Sequence, residues 1–158
     1  MEPLHELLYL LSCHVLEGDE LDTCVDAVRS ADTSEDLDWI DEAHERREFA
    51  VQGELSEWVA IGDKVDELHE LISDGFSDPL PPYPYPDDKR DFTPPMYFRW
   101  LDGVLAQRGP GYELLLWNNP YDDNLHALAV HRAEMPRILE LSHALGFSPS
   151  RATDMFSF

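Results

Sequence analysis

Two cysteines, Cys13 and Cys24, are all that the 158 residues hold. They make no CxxC and no disulfide framework, so both thiols are expected to pack as small hydrophobes in a reducing compartment. Basic residues are also scarce, 11 against 33 acidic ones, for a net charge of −22. A surface so negative repels phosphate backbones and anionic lipid, which argues against nucleic acid and membrane as partners. Among only eight glycines there is no G-x-S-x-G elbow, Walker loop or G-x-G-x-x-G. Long hydrophobic runs are missing too. Leu7 to Leu16, broken by Ser12 and His14, is the longest largely apolar stretch, and a membrane span needs about 20 such residues. The opening Met1-Glu-Pro-Leu-His has no basic n-region, so the expected location is cytoplasmic.

What is present points to a folded chain. Hydrophobic residues make up 43%, with four Trp, six Tyr and seven Phe, enough for a core in a chain of single-domain length. Leu4, Leu7, Leu8, Leu11 and Val15 recur at helical spacing, with Pro3 in the first turn. Leu21, Cys24, Val25 and Val28 mark a second helix. A third is expected from Asp32-Thr33-Ser34 through Leu37, Ile40 and Ala43 to about Arg47. Arg47–Gln52 reads as either helix end or short strand. "SEWVAI" (56–61) reads as a strand, and "DKVDELHELISDG" as a helix with Val65, Leu68, Leu71 and Ile72 inward. Thr93 and Pro94 open a further helix. "YELLLW" (112–117) and "LHALAV" (125–130) form an antiparallel hairpin, and a last helix runs from about Ala133 to Gly146.

Seven of the twelve prolines fall between Pro79 and Pro95. Dividing the chain there would leave two poor cores, the later one built on a hairpin that needs a third strand or covering helices to be stable alone. The segment also carries Tyr83, Tyr85 and Phe92, which suit packing better than a tether. The expectation is one α+β domain over 1–158. It has an antiparallel sheet of three to four strands, about six helices, and residues 77–95 as an ordered proline-rich loop. A PxxP peptide for an aromatic groove and a plain linker are the alternatives.

Five histidines follow an acid by three residues: Glu2/His5, Asp41/His44, Asp66/His69, Asp123/His126 and Glu140/His143. On a helix this spacing shares one face, as in the Glu-x-x-His half-motif of di-iron bundles, and equally as in an ordinary surface acid–base pair. A four-helix di-metal bundle conflicts with the prolines and the hairpin. No cofactor is therefore expected; if a metal is bound, Asp41, His44, Asp66 and His69 are the first candidates. Cys13-His14 and Ser142-His143 are neighbours on helices and point about 100° apart, so neither makes a nucleophile–base pair. "DTSEDLDWIDEA" (32–43) has the acidity of a calcium loop but lacks its Gly and Glu. Nothing argues for an enzyme. Tyr83, Tyr85, Tyr97 and Trp100 could line a small-molecule cleft, though aromatic core accounts for them as well.

"YELLLWNN", an acidic turn and "LHALAVHRAEMPRILELSHALGF", together with "WVAIGDKVDELHELI" (58–72), resemble a bacterial family of small acidic proteins of unknown function. That family has a strand ending near Trp, an Asp-containing turn, a second strand and a helix closing on Leu-Gly. Where it usually carries an Asp-Trp-Lys element, this chain has Gly62-Asp63-Lys64. The resemblance spans about half the chain, implies a bacterial α+β protein and transfers no catalytic residue.

The acidity is lopsided. Residues 1–78 hold 23 acids and 4 bases, net −19, and residues 79–158 hold 10 and 7, net −3. Net charge serves solubility first, but this asymmetry would also steer a basic protein onto the N-terminal half. The expected function is non-enzymatic protein interaction, immunity- or mimic-like, through Glu35, Asp36, Asp38, Asp41, Glu42 and Glu45. A metal-binding protein using the acid/His pairs is the alternative.

Overall fold

A computed structural model describes residues 1–117 and 120–155, the side chains of Lys89 and Met155 excepted. The described residues form seven α-helices and one four-stranded antiparallel sheet, an α+β fold as the sequence pattern predicts. They gather into two compact units. Unit 1 is 1–59 with 134–149, and unit 2 is 60–133 with 150–158. The proline-rich segment lies inside unit 2, not at the divide.

Unit 1 is helical: α1 (Pro3–Leu11), α2 (Gly18–Ser30), α3 (Ala43–Glu54) and α6 (Met135–Ala144), with short 3-10 turns at Ala31–Thr33 and Glu35–Leu37. The apolar stripe Leu4, Leu7, Leu8 and Leu11 is buried, as are Leu21, Val25 and Val28 of α2, Val51 of α3, and Ile138 and Leu141 of α6. Helix α1 stops earlier than its periodicity suggests. Cys13 and His14 take left-handed backbone angles (φ 53° and 70°), and the His14 amide reaches back to the Tyr9 carbonyl at 2.9 Å. The His14 ring stacks on Tyr9 at 4.4 Å and its Nε2 meets Glu134 at 2.6 Å. Val15 is thereby thrown out of the stripe and is 56% exposed. On α3, Glu48 is buried. Its carboxylate accepts hydrogen bonds from the Ser148 amide (2.8 Å) and hydroxyl (3.0 Å), fastening the chain beyond α6.

The expected third helix does not start at Asp32. Residues 31–37 make two 3-10 turns, and α3 begins only at Ala43. At helical spacing, Asp32, Glu35, Asp36, Asp38, Asp41 and Glu42 would put like charges three and four residues apart, which opposes a helix. Ser34 and the aspartates also favour turns. Arg47–Gln52 resolves as helix. Ser56–Val59 carries strand-forming residues, yet the Trp58 and Val59 amides bond back to the Leu55 carbonyl, so the strand is cut to Ala60–Gly62.

Unit 2 is the sheet and its helices. The strands β1 (Ala60–Gly62), β2 (Tyr112–Trp117), β3 (Leu125–His131) and β4 (Ser150–Arg151) are ordered β1-β3-β2-β4, with Leu114 opposite Ala129 in the expected hairpin. Helices α4 (Val65–Asp74), α5 (Pro94–Ala106) and α7 (Ala152–Met155) complete it. Its core joins Leu68, Ile72, Tyr97, Phe98, Leu101 and Leu105 to Leu114, Leu116 and Ala127 of the sheet. Leu71, expected inward, is 41% exposed. On β2, Glu113 is buried with a side chain 4% exposed. Arg151 Nη1 donates to both its oxygens at 2.9 and 2.7 Å, and Arg132 Nη1 stands 3.8 Å away. Arg132 itself is held by Asp102 Oδ1 (2.6 Å) and by the Asp102 and Tyr112 carbonyls.

Candidate functional site

In unit 1, Glu35, Asp36, Asp38, Asp41, Glu42 and Glu45 are all exposed. They surround a half-exposed tryptophan in sequence, Trp39, which sequence reasoning passed over. Trp39 is fixed: its indole Nε1–H donates to the Asp36 carbonyl at 3.0 Å, and its ring meets Phe49 edge-on at 5.5 Å. The next residue, Ile40, is buried and anchors the loop. Two arginines of α3 hold the loop from below. Arg46 donates to the Ile40 carbonyl (2.6 Å) and the Asp32 carbonyl (2.7 Å), while Arg47 pairs with the Asp32 carboxylate at 2.9 Å. An irregular acidic loop thus has a defined shape because backbone carbonyls that a helix would have satisfied are satisfied by guanidinium groups.

Unit 1 as a whole has 19 acidic and 4 basic residues, net −15. All four cations already have partners: Arg29 with Glu2, Arg46 with the carbonyls above, Arg47 with Asp32, and Arg137 with Glu6 and Glu140. The Arg137 guanidinium beside it holds the Glu6 carboxyl below its usual range. Burial and the nearby Glu54 push the Cys24 thiol pKa up, which disfavours its thiolate form.

The acid/His pairs are mostly not pairs. His5 does meet Glu2 (2.6 Å) and also Asp22 (3.1 Å). His69 does not bond Asp66. Its Nδ1 accepts from the buried Tyr97 hydroxyl at 2.7 Å, and Nε2 therefore carries the proton and donates to the Pro81 carbonyl at 3.0 Å. The Asp66 carboxylate accepts the Glu67 amide instead. With both ring nitrogens of His69 engaged, Asp66 and His69 lack the open shared face that a ligand pair needs. His44 packs against the turn at Gly146, where a Cβ would sit 3.4 Å from its own Cβ, and Asp41 lies in the exposed loop before α3. Glu140 turns to Arg137, not His143.

In the hairpin, the acid that meets buried His126 is Asp122, whose two oxygens both lie 3.0 Å from Nε2. Burial alone would raise Asp122, but hydrogen bonds from His126 and Asn124 outweigh it and leave the carboxyl below its usual value of 3.8. A depressed folded pKa stabilises the fold above the unfolded value and is lost as pH falls through the folded one. The stability gap between the native chain and Asp122→Asn is therefore expected to be full near neutrality and to close below about pH 4, read from thermal melts at several pH values.

The proline-rich segment is tied down along its length. Leu80 donates to Ser73 Oγ at 2.9 Å and is buried, and Arg108 donates to the carbonyls of Asp78 and Pro79 while lying over the Phe76 ring. His69 fastens Pro81, and Tyr83 packs edge-on against Tyr85, Phe92, Tyr97 and Trp100 at 4.8–5.5 Å. Replacing His69 with alanine is expected to cost about 1–3 kcal/mol, because the buried Tyr97 hydroxyl loses its acceptor. Hydrogen exchange should show faster opening of 79–85 with α5 little changed. Of the four aromatic residues proposed as a cleft lining, Tyr83, Tyr97 and Trp100 pack with one another. Only Tyr85, with Phe92, faces a cleft of about 680 Å³ that the start of α4 closes.

No protein-family model, curated protein or solved structure matches the chain.

Proposed function

We propose that this is a non-enzymatic interaction protein whose 35–45 loop docks a basic protein, in the manner of toxin-neutralising immunity proteins and nucleic-acid mimics. The observation that carries the reading is Trp39, a large amphipathic ring fixed at the surface among six exposed acids. Tryptophan is the side chain most enriched at binding hot spots, and surrounding charges set the rate and choice of partner. Because the loop is held by Arg46 and Arg47, its shape needs little reordering on binding, which lowers the entropic cost. A bacterial cytoplasmic setting fits the resemblance and the reduced thiols. Capture of partners over a salt series tests the proposal: basic partners should be retained at low salt, with affinity falling steeply as salt rises. Retention indifferent to ionic strength, or of acidic partners only, would count against it.

A further inference from the structure

We propose that unit 2 carries a binding cleft for an organic ammonium ion with an apolar body. The cleft of about 680 Å³ has the size of a small-ligand site. Its apolar lining includes Val65, Phe92, Pro94 and Leu125 together with Tyr85, which is half exposed. Tyr83 and Phe92 hold the Tyr85 ring at 4.8 and 5.2 Å, so the aromatic shelf exists before any ligand arrives. Carboxylates come from two segments: Asp63 and Asp66 at the start of α4, and Asp87 from the proline-rich loop.

Among the described residues Lys64 is the one cation of the lining, so three aspartates and a lysine leave it at net −2. An anion is disfavoured there, and a neutral apolar compound would leave the carboxylates without a counterpart. A bare metal ion would gain nothing from the aromatic shelf. An ammonium joined to an aromatic or aliphatic body matches both surfaces, through charge-assisted hydrogen bonds at the aspartates and ring contact at Tyr85 and Phe92.

The carboxyls beside the cleft are already crowded. Glu67 is hydrogen-bonded to Asp63, which raises its pKa, and its remaining neighbour is Asp66. Burial and the Asp66 carboxylate together push the Tyr85 phenol up. A bound cation relieves this repulsion, as protonation of Glu67 would. Among the described residues, the charged groups of the cleft lining are Asp63, Lys64, Asp66 and Asp87, and Asp63 and Asp66 are those that act on Glu67. Affinity is expected to rise with pH as Glu67 loses its proton, somewhat above the usual carboxylate range.

The test is a titration of the full chain, followed by amide NMR shifts, with phenethylamine, spermidine and the uncharged 2-phenylethanol. At least one amine should bind at about 1 mM or tighter and some tenfold better than the alcohol, with shifts centred on 63–66, 85–94 and 125. Tighter phenethylamine would assign an arylalkylamine and tighter spermidine a polyamine. Phe92→Ala and Asp66→Asn should each weaken binding about fivefold or more. Asp66 also accepts the Glu67 amide, so Asp87→Asn provides a second variant that leaves the start of α4 intact. Equal binding of the alcohol, shifts spread over all acidic surfaces, or ammonium chloride matching the amines would overturn the proposal.

Discussion

Arg151→Ala is expected to destabilise unit 2 by about 3 kcal/mol, one of the largest losses available to a single substitution in this chain. The reason is the carboxylate it leaves behind. Glu113 sits on β2 between apolar neighbours, and Arg151 supplies both of its short contacts, at 2.9 and 2.7 Å. Arg132 stays 3.8 Å away and its guanidinium is committed to Asp102 and to the Tyr112 carbonyl. Stranding a buried charge costs about 3–5 kcal/mol. Residual attraction from Arg132 and the 31% exposure of Arg151 place the effect at the low end. The strand pairing of Leu115 with residue 151 is by backbone, so β4 itself need not be lost. Urea unfolding of Arg151→Ala, Glu113→Gln and the double variant separates the terms. Once the charge is gone, removing Arg151 should cost at least about 1 kcal/mol less than in the native background. A loss below about 1 kcal/mol in the single variant would show that water, not Arg151, solvates Glu113.

That ion pair also marks where sequence reading stops. Glu113 belongs to "YELLLW", a strand buried on both faces, and a buried carboxylate requires a cation. Nothing local says that the cation comes 38 residues later from a two-residue strand. Elements with strong periodicity were legible: α2, α4, α5, the hairpin and α6 stand close to their predicted spans, and α1 does so except that it ends at Leu11, short of Val15. The third helix was misread because Leu37, Ile40 and Ala43 have helical spacing while the charges between them do not permit a helix. The strand at 56–61 was overextended because β-propensity at Trp58 and Val59 yielded to the helix end at Leu55. Acid–x–x–His spacing was a poor guide to contacts. His69 chose a tyrosine 28 residues away and a proline carbonyl, partners that only the tertiary fold supplies. The exposed acids of 35–45 were legible from charge alone. Trp39 was not, because a tryptophan between Asp38 and Ile40 gives no local sign of facing outward.

Trp39→Ala should weaken the proposed interaction by about 30-fold or more, roughly 2 kcal/mol, while lowering the stability of unit 1 by only about 1 kcal/mol. The two numbers differ for a physical reason. In the free protein Trp39 is 53% exposed, and its contacts include an edge-on one with Phe49 and a hydrogen bond to the Asp36 carbonyl. In a complex the rest of its ring would be desolvated against the partner, and that gain is what alanine removes. The acids should behave differently. Changing Asp36, Asp38 and Asp41 to asparagine lowers the local field without altering shape, so it should slow association and flatten the salt dependence while leaving dissociation nearly unchanged. Trp39→Ala should do the reverse, speeding dissociation with association little affected. Surface-binding kinetics against the partner retained at low salt read both rates at once. If the asparagine triple variant and Trp39→Ala each leave both rates where they were, the basic partner docks elsewhere, and the 35–45 loop is no more than a solubilising face.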